Sequence, residues 1–171
     1  MKWYLGCDPG WTNLAYAWMS EEGCLITGCV EPKTLSKGVL APDVVRGVDS
    51  SYGLTQIESG EGVLSVAVME RFVYYDGVHN PNSEQILMVT GQMQYFLSDT
   101  HDIVPVMFKA FDWKSRLSKH IYKKGFRNPS DRLDKVFSVA AAEFLFPDYE
   151  FETDHEADAA CMAYIARMLD R

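Results

Sequence analysis

A chain of 171 residues that is 47% hydrophobic and 23% charged has the make-up of one globular domain spanning 1–171, not of a disordered or fibrous protein. No apolar run reaches the roughly 18 residues a membrane span needs, and Met1-Lys2 leads straight into an apolar run without separate signal regions, so a cytoplasmic protein is expected. Net charge is −8, yet nine of the 16 basic residues lie between Lys109 and Lys135 beside three acids, a local +6 that leaves −14 for the remainder. Such a block on an acidic chain suits a phosphate-bearing partner; its plainer reading is a solvated helical face.

Trp3 to Asp8 is apolar up to its last residue and reads as a buried strand, with Pro9-Gly10 as a turn. Leu14 to Met19 reads as its hairpin partner and Leu25 to Val30 as a third strand after Glu22-Gly23. Residues 31–62 are broken by Pro32, Gly38, Pro42, Gly47, Gly53, Gly60 and Gly62, and carry only a weak helical pattern from Val44 to Ile57. Val63 to Met69 is nearly continuous in apolar residues, the pattern of a central parallel strand. Ser83 to Leu97 spaces Ile86, Leu87, Val89, Met93, Phe96 and Leu97 as a helix does, and Val104 to Phe108 reads as a short strand that Pro105 places at an edge.

The remainder is helical. Asp112 can cap a helix running to Lys124 with Gly125 as its stop. Asn128-Pro129 predicts the start of a helix reaching about Phe146, and Thr153 with Glu156 forms a capping box for the last helix. Three hairpin strands followed by strand, helix, strand and helices predict an α/β fold with a mixed central sheet flanked by helices. Cys7, Cys24, Cys29 and Cys161 show no CxxC spacing and are expected as reduced thiols.

Three acidic elements carry the chemistry. Leu5-Gly6-Cys7-Asp8-Pro9-Gly10 ends one strand in a carboxylate; Val66-Ala67-Val68-Met69-Glu70 ends another; His155-Glu156-Ala157-Asp158 opens the last helix with His155 and Asp158 on one face. Asp8 alone is ordinary turn chemistry, and an acidic first turn explains Asp154 and Glu156 through the helix dipole. Glu70 follows seven residues of which only Ser65 is polar, so it lies at the carboxyl edge of the sheet, where such folds place their sites. His155 and Asp158 border the apolar stripe of Cys161, Met162 and Ile165, so they face inward. Carboxylates gathered this way repel one another, and a divalent cation is the usual remedy.

Together these pieces resemble the RuvC family of Holliday junction resolvases, which have the RNase H-like fold. The likeness rests on Leu5 to Gly10, the strand ending at Glu70, and His155-Glu156-Ala157-Asp158-Ala159-Ala160, and it runs across nearly the whole chain. It implies a role in DNA recombination and repair, with Asp8, Glu70, His155 and Asp158 as catalytic and metal-holding residues. Phe72 or Tyr74 would then stack on junction bases, and Lys114, Arg132 and Lys135 would contact DNA. The compact length and the divergent 31–62 suggest a phage or viral member, acting in the host cytoplasm.

Hydrolysis by that family's chemistry uses two Mg²⁺ ions, bridged by Asp8 and completed by Glu70 and Asp158, with His155 on the second ion or on the attacking water; a His donor also admits Mn²⁺. Symmetric nicking of a four-way junction implies a homodimer, for which the helix from Ser83 to Leu97 is a candidate face, though core packing explains it equally well. The rival readings are an RNase H-like nuclease acting on RNA or an RNA–DNA hybrid, and a non-catalytic DNA-binding relative. Actin-like sugar kinases share the strand–Asp–x–Gly start but need two such domains.

Overall fold

The computed structural model describes residues 1–10, 12–30, 48, 62–73 and 82–170. Strands β1 (Lys2–Pro9), β2 (Leu14–Ser20) and β3 (Leu25–Val30) form an antiparallel meander. Strand β4 (Val63–Glu70) joins the free side of β1 in parallel, and β5 (Val106–Phe108) pairs in parallel with β4, giving the order β3-β2-β1-β4-β5. Helix α1 (Ser83–His101) joins β4 to β5. It is followed by α2 (Ala110–Ile121), a 3₁₀ turn at Tyr122–Lys124, α3 (Lys135–Leu145) and α4 (Asp154–Leu169). The mixed sheet flanked by helices is the architecture the sequence pattern predicts. The weak helix expected from Val44 to Ile57 lies outside the described residues except for Val48, whose carbonyl accepts a 3.3 Å hydrogen bond from Trp18 Nε1.

Alternation along the strands splits the core in two. Trp3, Leu5 and Cys7 of β1 and Ala67 and Met69 of β4 pack with Val89, Met93 and Leu97 of α1 on one face. Tyr4 and Val68 belong to the other cluster, with Trp113, Phe137 and the small residues of α4. Because side chains two apart share a face, Gly6 and Asp8 follow Tyr4, and Glu70 follows Val68, toward the α4 side. Gly6 is what lets α4 come close: a Cβ there would lie inside the contact radii of Ala159 O and Ala163 N, and 2.9 Å from the carbonyl carbon of Met162.

Several boundaries differ from the sequence reading. Strand β5 begins at Val106, just after Pro105, and is the edge strand that proline favours. Helix α1 continues past Leu97 to His101, where Asp102 closes it in the left-handed region at φ 54°. Helix α2 starts at Ala110, so Asp112 sits in its first turn and complements the dipole instead of capping. Gly125, at φ 91°, ends the 3₁₀ turn as expected. Thr153 Oγ1 accepts from the Glu156 amide at 3.1 Å, but the buried Glu156 carboxylate reaches back to the Glu152 amide.

Asn128-Pro129 does not start a helix. The Asn128 side chain folds into a local turn, accepting from the Ser130 amide and donating to the Arg132 carbonyl. Asp134 caps α3 instead, accepting from the Phe137 amide at 3.2 Å and from Ser130 Oγ at 3.1 Å. These bonds hold its carboxyl below the usual carboxylate range. Asp134→Ala is expected to lower the melting temperature by about 3 °C near neutral pH. A depressed carboxylate contributes above its unfolded pKa and loses that contribution as pH falls through its folded one, so the two proteins should melt alike in acid.

Candidate active site

Asp8 and Glu70 are brought side by side by register. Cys7 pairs with Met69 in the parallel ladder, so the next residue of each strand is a carboxylate on the α4 face. Helix α4 then supplies His155 and Asp158 from its first turns. His155 Nδ1 donates to Asp8 Oδ2 at 2.8 Å across 147 residues of sequence. Two strand ends and a helix start thus converge, bringing Asp8, Glu70, His155 and Asp158 within electrostatic reach of one another.

Each carboxylate meets one positively polarised partner. Asp8 has His155, whose pKa is raised mainly by that hydrogen bond. Glu70 Oε2 accepts from Trp113 Nε1 at 2.8 Å, and Trp113 is fully buried on α2. Asp158 Oδ2 lies 3.8 Å from Lys114 Nζ, and that lysine, only 7% exposed, also reaches the Asp134 carbonyl at 3.4 Å. These partners do not satisfy the cluster. Asp158 Oδ1 is buried without a hydrogen-bond partner. Burial, reinforced by Asp8, pushes Glu70 up to about 7, and burial pushes Asp158 up to about 6 despite Lys114.

Among the described residues no three acidic, His or Cys side chains stand around one point as a finished cation cage. His155 and Trp113 instead take up one oxygen each of Asp8 and Glu70. The donor chemistry, three carboxylates and an imidazole with one buried oxygen orphaned, fits a hard divalent cation. Two raised carboxylates also give a measurable signature. Between about pH 4 and about pH 7 the folded chain binds protons that the unfolded chain has released, so stability falls as pH rises through that window. His155, raised as well, adds to the fall, because its stabilisation is lost as pH climbs through its folded pKa. The Glu70 shift alone corresponds to roughly 3 kcal/mol. In EDTA the melting temperature should therefore drop from about pH 5 to about pH 8. Mg²⁺ or Mn²⁺ should restore it at the higher pH and change little at the lower.

The other residues singled out in the sequence are placed differently from one another. Lys114 is turned inward to Asp158, whereas Arg132 is exposed between α2 and α3. Lys135 is 69% exposed at its side chain and pairs with Asp154, next to His155. Phe72 is half-buried two residues past Glu70, and Tyr74 lies outside the described residues. Sequence reasoning missed Trp113, whose bond to Glu70 spans 43 positions and depends on where β5 delivers α2. The available signal was its place on the helical face of Leu117 and Ile121, pointing inward beside Lys114.

No family model and no curated protein matches this chain. Solved structures do. The chain is similar to Thermus thermophilus RuvC in complex with a Holliday junction substrate, at 14% identity and a TM-score of 0.65, covering 98% of this chain and 96% of that one. It is likewise similar to a structure of Thermus thermophilus RuvC, at 14% identity and a TM-score of 0.59, covering 98% and 97%. The fold is therefore that of RuvC and the RNase H-like group over essentially its whole length.

Proposed function

We propose that this chain is a divalent-metal-dependent endonuclease that resolves four-way DNA junctions by paired, symmetric nicks. The observation that carries this reading is the convergence of Asp8, Glu70, Asp158 and His155 at the carboxyl edge of β1 and β4. The likeness to a RuvC structure that holds a Holliday junction supports the substrate. Asp8, Glu70, His155 and Asp158 would hold two Mg²⁺ ions, with Mn²⁺ accepted through the imidazole. When bound, such ions polarise the scissile phosphate and acidify a coordinated water.

The chain's own residues set up that chemistry. Asp8 sits at the crossing point of both strands and the helix, where it can serve both ions. Trp113 fixes one oxygen of Glu70 and leaves the other free to turn toward the site. Lys114 Nζ lies 3.8 Å from the buried Asp158 and holds that carboxylate in place before a substrate arrives. His155, released from Asp8, would orient the attacking water or take its proton. The acidity of these residues would repel phosphate, and bound cations would offset it.

Two opposite strands cut symmetrically call for two sites, hence a homodimer. Val89, Met93 and Leu97 of α1 are committed to the core, while Leu87, Met88 and Tyr95 of the same helix are exposed and supply an apolar contact face. The test is a panel of labelled substrates in Mg²⁺, Mn²⁺ and EDTA: a four-way junction, linear duplex and RNA–DNA hybrid. Paired nicks on the junction, lost in EDTA, are expected. Cutting of the hybrid alone would move the function to RNA processing, and binding without cutting in any metal would make the chain a scaffold.

A further inference from the structure

Helix α2 turns two different faces to its surroundings. Its inner face carries Trp113 to Glu70 and Lys114 to Asp158. Its outer face carries Arg116 and Lys119, and the 3₁₀ turn that follows adds Lys123; all three are exposed. These three line an open groove of about 520 Å³ together with Phe111, Ser115 and His120, in which Asp112 is the one acid.

Three other lysines of the basic segment are already engaged: Lys114 with Asp158, Lys135 with Asp154, and Lys124 with the Tyr164 hydroxyl. Among the described residues, Arg116, Lys119 and Lys123 stand beyond ion-pair distance of any carboxylate. Aromatic groups border them. Phe111 is 67% and Tyr122 45% exposed, and the Arg116 guanidinium lies 5.6 Å from the Phe108 ring centroid. Phe108 pairs in register with Glu70, so Arg116, beside that ring, stands one strand away from the acidic cluster.

We infer that this groove is a phosphate track that carries a duplex arm of the substrate away from the cleavage site, with Arg116, Lys119 and Lys123 along the phosphates of one strand. It rests on the DNA reading above and adds the surface that reading lacks, since the cluster itself is acidic and Lys114 is sequestered. Dimensions agree. From Arg116 to Lys123 the last five helical steps and two of the 3₁₀ turn rise about 11 Å, and a strand of duplex advances about 3.4 Å per phosphate, so the three cations cover roughly three phosphate steps. Three cations at that spacing match a short run of backbone and carry no base code.

The test is the triple variant Arg116→Gln, Lys119→Gln, Lys123→Gln in the full chain, with binding to linear duplex and to a four-way junction followed against salt by anisotropy. The plot of log affinity against log salt should become shallower by about 2.7, near 0.9 for each phosphate released, and affinity at low salt should fall at least about tenfold. Lys2→Gln with Arg167→Gln, which removes two charges bound to Asp170 and the Glu21 carbonyl at the far end of β1 and α4, should leave the slope unchanged. A slope that moves by less than about one in the triple variant, or equally in the control, overturns the track. So does loss of binding to anionic vesicles with DNA binding intact, which would assign the groove to a lipid surface. Cleavage is read separately: if the wild type does not cut but the slope still shifts, the nuclease reading falls and the track stands.

Discussion

Asp8→Asn is expected to reduce junction cleavage at least about 10³-fold while leaving junction binding within a few-fold of the wild type. The side chain keeps its shape and an oxygen that can still accept from His155 Nδ1. What it loses is charge at the point where β1, β4 and α4 meet, and with it the ability to serve two cations. Removing a charge also relieves Glu70, which Asp8 helps push upward. The variant should therefore melt higher than the wild type in EDTA near neutral pH, and lose in acid the stabilisation that the Asp8 charge gives protonated His155. Rates from single-turnover cleavage and melting curves on the same preparations separate the two effects. A variant that cuts normally would remove Asp8 from the site.

Gly6→Ala should be among the most damaging single changes outside the chemistry. A Cβ at residue 6 meets backbone atoms of Ala159, Met162 and Ala163, none of which can swing aside as a side-chain tip would. Either α4 lifts off β1 or the strand bends, and the cost should be about 3 kcal/mol or more. The same movement separates His155 and Asp158 from Asp8, because Gly6 and Asp8 share the face on which α4 rests. The expected result is a melting temperature lower by about 10 °C, with cleavage reduced even in the protein that remains folded. An alanine variant as stable as the wild type would show that the close approach does not set the geometry of the site.

Much of this arrangement could be read from residue order, for physical reasons that differ by element. Strands β1 and β4 announce themselves because burial on both faces demands unbroken apolar runs, so a carboxylate at the end of each stands out. The start of α4 was legible because Thr153 and Glu156 leave a local capping signature. The start of α3 was not, because Asn128, Asp131 and Asp134 are all competent caps within seven residues. Only tertiary packing chooses Asp134, whose carbonyl also receives Lys114.

The direction in which α2 faces was hidden for a similar reason. The clustering of lysines suggested a single basic surface, and the resemblance to the resolvase family implied Lys114, Arg132 and Lys135 as its contacts. The structure turns Lys114 inward as a partner of Asp158 and sets Arg116, Lys119 and Lys123 outward. Which residues of a basic helix see solvent depends on which of them the sheet covers. Here the Trp113 bond to Glu70 fixes that rotation. The long-range pairs Asp8 with His155 and Glu70 with Trp113 follow from strand order and register, which no local pattern encodes.

Whether the acidic cluster holds metal is decided by divalent-ion binding to the intact protein, with paramagnetic Mn²⁺ as the probe and Mg²⁺ as competitor, in the wild type and in Glu70→Gln. Saturable binding near neutral pH is expected, displaced by Mg²⁺, weakening as pH falls through the raised carboxylate range, and lost or weakened at least about tenfold in the variant. Binding that is absent in the wild type, or equally strong in Glu70→Gln, would contradict it: the acidic cluster at the ends of β1 and β4 would then not be a metal site.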